Sequence, residues 1–83
     1  MEERRNLYFG SGRNYKLLAR NITFSEAMKT IHRNMENYER PSSYIRTWDE
    51  DGIRWVDYGS WSTFYAWSDV TNFVAMLRLE ELK

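Results

Sequence analysis

Residues 43–58, "SYIRTWDEDGIRWVDY", place two short aromatic and β-branched runs on either side of Asp51-Gly52. Asp-Gly between alternating apolar residues is the strongest short-range hairpin signal, because the two central positions of a type I′ turn both need positive φ. A two-residue turn there sets Trp48 opposite Trp55, Arg46 opposite Asp57, Asp49 opposite Arg54 and Thr47 opposite Val56. Each is a favourable cross-strand neighbour: ring on ring, two opposite-charge pairs and one β-branched pair. A four-residue loop over residues 49–52 is the competing reading. In both, one face of the ribbon carries Trp48 and Trp55.

Upstream, residues 22–38, "ITFSEAMKTIHRNMENY", repeat apolar side chains at intervals of three and four: Phe24, Ala27, Met28, Ile31, Met35 and Tyr38. That spacing predicts an amphipathic helix. Thr23 is its N-cap, Glu26 completes a capping box, and Ile22 precedes the cap as a hydrophobic staple. The helix ends near Arg40, because Pro41 disfavours helical geometry at the residue before it. Residues 15–19, "YKLLA", read as a strand that pairs with residues 6–9 across the turn at Gly10-Ser11-Gly12. Residues 1–13 as a whole read as an arm or an edge strand, with a single domain over 14–83.

Downstream, residues 63–67, "TFYAW", read as a further strand, after which Ser68 or Asp69 caps a helical turn through Asn72. Residues 73–83, "FVAMLRLEELK", fit two templates. Val70, Phe73, Val74 and Leu77 suit a helix, whereas Phe73, Ala75, Leu77 and Leu79 alternate as one side of a strand. Intrinsic propensity favours the helix. The resulting fold class is α+β, with one amphipathic helix packed on a small, mainly antiparallel sheet.

Composition limits the function classes. Eighty-three residues make one domain, and a chain of that size buries only about 60–65% of its unfolded surface. There is no cysteine to reinforce it, which fits a reducing cytoplasm, and no apolar run reaches membrane length. Aromatic side chains are the remaining reinforcement: four Trp, six Tyr and four Phe. Twelve basic and twelve acidic residues cancel, which argues against bulk binding of nucleic acid by counterion release. One His and no Cys leave too few ligands for a transition metal. His32 reads as a surface residue on the helix flank. With no nucleophile at a defined spacing and no phosphate-cradling glycine loop, the chain is not expected to be an enzyme and needs no cofactor.

A binding role draws on residues 57–67, "DYGSWSTFYAW", where rings alternate with Gly, Ser and Thr. Rigid rings with small hydroxyl groups are the composition of recognition surfaces. One helix cannot cover both faces of such a sheet, so one set of rings is left outside, with Trp61 on the loop the foremost. Homo-oligomerisation is one outlet for that surplus. Nine of the twelve basic residues are Arg, whose planar fork suits phosphate and ring faces. The binding residues expected are Arg46, Trp48, Arg54, Trp55, Tyr58, Trp61 and Tyr65.

"TFSEAM" (23–28), "ERPSSYI" (39–45), the Asp-Gly hairpin and "AWSDVTNFVAML" (66–77) together resemble the small phage proteins of the Thoeris anti-defence 2-like family. The resemblance spans residues 23–79. It implies an oligomeric α+β phage protein that sequesters a cyclic or NAD-derived nucleotide signal in the host cytoplasm without cleaving it, and it makes residues 73–79 a strand. A protein-directed inhibitor or adaptor is the alternative, its aromatic and arginine surface gripping a host defence protein.

Overall fold

The structure is a computed structural model that describes residues 2–37, 45–57 and 63–81. In chain order its elements are β1 (Arg5–Ser11), β2 (Asn14–Ile22), α1 (Phe24–Asn37), β3 (Arg46–Glu50), β4 (Ile53–Asp57), β5 (Phe64–Ser68) and α2 (Val70–Glu81). The five strands form one sheet in the order β2-β1-β5-β4-β3, and every neighbouring pair is antiparallel. The α+β class holds, with two helices in place of one.

The hairpin has the register that its charges and rings predict. Arg46 pairs with Asp57, Thr47 with Val56, Trp48 with Trp55 and Asp49 with Arg54. Asp51 and Gly52 take φ of 55° and 78°, both positive as a type I′ turn requires. Gly52 is constrained a second time, because a Cβ there would run into the Asn72 side chain on α2.

At α1 the capping box is complete. The Thr23 amide donates to Glu26 Oε1 at 2.9 Å, and the Glu26 amide donates to Thr23 Oγ1 at 3.2 Å. Hydrogen bonding from the Thr23 amide, and secondarily from the Thr23 side chain, holds the Glu26 carboxyl below the usual carboxylate range. A group depressed in the fold adds stability above its unfolded pKa and loses it as pH falls through the folded value. Glu26→Gln keeps the reach to the Thr23 amide without the charge. Its thermal midpoint is therefore expected to fall less than the parent's on acidification below about pH 4.5, the ordinary value; parallel curves would mean the box is not held in solution.

Behind that cap, Ala27 and Ile31 are fully buried, and Phe24, Met28 and Met35 pack on the same cluster. The stripe meets Leu7, Val56, Tyr65 and Trp67 on one face of the sheet. Tyr38 and the helix end expected near Arg40 lie outside the described residues.

Two expectations need correction. Residues 5–11 are neither an arm nor an edge: β1 pairs with β2 on one side, as expected from the glycine-rich turn, and with β5 on the other. Leu7 faces Trp67 and Phe9 faces Tyr65 across that second seam, so the strand is held by burial of its own apolar residues. Residues 73–79 are not a strand. Asp69 caps α2, its Oδ1 accepting from the Asn72 amide at 2.7 Å, and the helix continues through Glu81. Helical spacing brings Phe73, Met76 and Leu77 together over Tyr8, Tyr15, Ile53 and Ala66, on the sheet face opposite α1. That burial, added to the propensity of Ala, Met, Leu and Glu, outweighs the alternating pattern.

The sheet is therefore a middle layer. α1 covers Leu7, Tyr65 and Trp67, and α2 covers Tyr8, Ile53 and Ala66. The second helix covers Tyr8 and Tyr15 on the face that one helix would leave open.

Candidate functional site

Alternation along the strands sorts the hairpin residues. Trp48 and Trp55 face each other in register, and Trp55 pairs with Ala66, which pairs with Tyr8. All four side chains stand on the α2 side of the sheet. Phe64 lies two residues before Ala66 and so shares that side.

Rings run across this face from the α2 side toward β3. Phe73 stacks on Tyr8 at 3.8 Å between centroids and meets Tyr15 edge-on at 5.2 Å. Tyr15 reaches Trp55 at 6.3 Å. Beyond it, Trp55, Trp48 and Phe64 form a triangle: the two indoles lie within 19° of parallel at 6.5 Å, and Phe64 stands edge-on to both, at 6.1 Å from Trp48 and 6.3 Å from Trp55. Offset and edge-on arrangements suit the ring quadrupoles and contribute about 0.5–1.5 kcal/mol per pair beyond area burial. The three rings are only partly buried.

Arg46 borders the triangle. Its guanidinium carbon sits 5.0 Å from the Trp48 ring centre, and one nitrogen is 3.3 Å from Asp57 Oδ2. The partners differ in exposure, with 58% of the Arg46 side chain accessible against 6% for Asp57. The buried carboxylate thus anchors one side of a guanidinium whose larger part is turned to solvent. The result is a planar apolar surface with a held cation at its rim, which can stack a flat ligand and meet an anionic group beside it.

The other expected residues do not join this patch. Arg54 stands on the α1 side, forked onto Asp49 at 3.0 and 3.5 Å and lying over the rings of Phe24 at 4.7 Å and Trp67 at 5.5 Å. It is a structural clamp on that face. Tyr65, expected among the binding residues, lies in the core: it is 2% exposed, its ring stacks on Phe9 at 4.5 Å, and its hydroxyl accepts from Asn34 Nδ2 at 2.6 Å. Tyr58 and Trp61 lie outside the described residues. Of the seven expected residues, the patch thus brings together Arg46, Trp48 and Trp55.

Two contributors escape the sequence reading. Phe64 is visible only as one ring among several until β5 is known to neighbour β4. Asp57 reads as a hairpin charge pair, whereas it is 4% exposed and fixes Arg46 from below. His32 is exposed on α1, away from these rings. Among the described residues no group of three or more His, Cys, Asp or Glu is placed to hold a metal, and no helix is long and apolar enough to cross a membrane. Comparison with family models, curated proteins and solved structures gives no match.

Proposed function

We propose that this chain is a non-catalytic binding protein that holds a planar, anionic ligand of the nucleotide class on Trp48, Trp55 and Phe64, with Arg46 meeting its phosphate. The observation that carries this reading is the pairing of partly exposed, near-parallel indoles with a guanidinium anchored from beneath by a buried carboxylate. Anchoring lowers the entropy lost when Arg46 takes up an anion. The sequence resemblance supplies a setting, in which a phage protein sequesters a nucleotide-derived immune signal in its host. The rings and the arginine alone define the site. It does not draw on the strand that the resemblance implied at residues 73–79.

Calorimetric titration with cyclic and linear adenine and guanine nucleotides tests it. Removing one stacking face by Trp48→Ala is expected to weaken binding by about 1–3 kcal/mol, roughly tenfold to a hundredfold. Arg46→Lys keeps the charge but loses the fork, so it should weaken the nucleotide while leaving the unphosphorylated nucleoside unchanged. A parent protein that binds none of them, yet retains one host protein in a Trp48-dependent way, would replace this reading with the protein-directed inhibitor.

A further inference from the structure

We infer that two copies of this chain pair through the outer edge of β3, antiparallel about a two-fold axis at Trp48, making one sheet continuous across both. The inference concerns the unliganded chain and stands apart from the nucleotide reading. β3 ends the sheet order. In a hairpin closed by a two-residue turn, the pairs Glu50/Ile53, Trp48/Trp55 and Arg46/Asp57 exchange the backbone hydrogen bonds. The amides and carbonyls of Thr47 and Asp49 consequently point away from β4, and both residues are exposed. Among the described residues no strand pairs with that edge, and an edge of this kind is a template for another strand.

The order of side chains on β3, Arg46-Thr47-Trp48-Asp49-Glu50, says which strand it suits. Turned antiparallel on itself about Trp48, it sets Thr47 against Asp49 of the second copy, which are the residues with outward backbone groups. Arg46 then faces Glu50 at both ends, an opposite-charge pair repeated by symmetry. The two Trp48 residues meet as a non-hydrogen-bonded pair, the closer of the two antiparallel spacings. The same order pairs poorly with itself when centred on Asp49, which would set two carboxylates together.

The opposite edge does not share this property. β2 pairs with β1 through register shifts near Leu7 and carries a residue of positive φ at Asn21. Such irregularities twist an edge away from pairing. Its charged residues, Lys16 and Arg20, are of one sign. At the β3 seam, by contrast, the Trp48 and Trp55 pair of each copy would abut the other's, so the ring patch would continue across the axis.

One five-residue strand edge and a ring pair make a small interface, so the dimer is expected at tens of micromolar and not far below. Sedimentation equilibrium of the full chain should give twice the chain mass there. Thr47→Pro removes an outward amide without touching the hairpin ladder, and should give monomer. Glu50→Arg sets like charges together at both ends and should weaken the dimer about tenfold. The absence of native cysteine permits a positional check: Trp48→Cys should cross-link to a disulfide dimer in air, because that pair falls within disulfide reach. Glu50→Cys, far from its symmetry mate, should remain reduced. A monomeric parent at this concentration would overturn the inference. So would a dimer that Glu50→Arg leaves unchanged, or equal cross-linking of the two cysteine variants.

Discussion

Trp67→Ala is expected to cost the chain a large part of its stability. Truncating a buried Trp costs about 3–5 kcal/mol, whereas a domain of 83 residues has a total stability of about 4–12 kcal/mol. The cost falls at the upper end here because the indole joins several elements. It is 3% exposed, packs on Phe24 of α1 at 5.3 Å, and donates from Nε1 to the Ile22 carbonyl at the end of β2 at 3.1 Å. Arg5 lies over the same ring at 4.4 Å while donating to the Gly52 carbonyl at 3.1 Å, so the ring also positions the tie between β1 and the hairpin turn. Urea unfolding followed by far-ultraviolet dichroism measures the loss. Trp67→Phe, which keeps a ring and orphans only the Ile22 carbonyl, should retain the fold; a loss below about 1 kcal/mol for the alanine variant would contradict the packing of this face.

Phe73→Ala carries the second large effect, again about 3–5 kcal/mol. Phe73 is 4% exposed and is a central contact of α2 with the sheet, stacked on Tyr8 and edge-on to Tyr15. The same segment supplies a control for its helical geometry. Ala75 is exposed, and Met76 packs on the cluster of Ile53, Ala66 and Phe73. Ala75→Lys should therefore be nearly neutral and Met76→Lys strongly destabilising. In the alternating strand pattern Ala75 would point inward and Met76 outward, so the reverse order of losses would restore the strand. The readout is the shift in denaturation midpoint.

The hairpin and α1 were legible because their determinants are local. Asp51-Gly52 names its own turn, and the two charge pairs and the indole pair agree with the one register that it permits. Thr23 and Glu26 are three residues apart and satisfy each other's amides. β1 was not legible as an interior strand, because its second partner, β5, is far away in sequence and nothing within residues 5–11 specifies it. α2 fell between two periodicities. Only the tertiary fact that Tyr8, Tyr15 and Ile53 need cover on the second face decides between them.

The candidate site was half legible for a similar reason. Once the hairpin register is set, strand parity places Arg54 on the side of Val56, opposite Trp55, and so separates it from Arg46 without any structure. Tyr65 is different: whether a ring on β5 turns toward α1 or toward α2 depends on its pairing with Val56 and Phe9, which are long-range contacts. Phe64 takes its place in the patch through the same pairing.

Indole N–H resonances followed by two-dimensional NMR during titration with the nucleotide panel test the ring patch most directly. The chain has four Trp, and each reports its own surroundings. The account predicts that the Trp48 and Trp55 signals move together along one saturable curve while Trp67, tied in the core to the Ile22 carbonyl, stays in place. No movement of Trp48 or Trp55 with any nucleotide, or movement confined to the Trp61 signal, would contradict it.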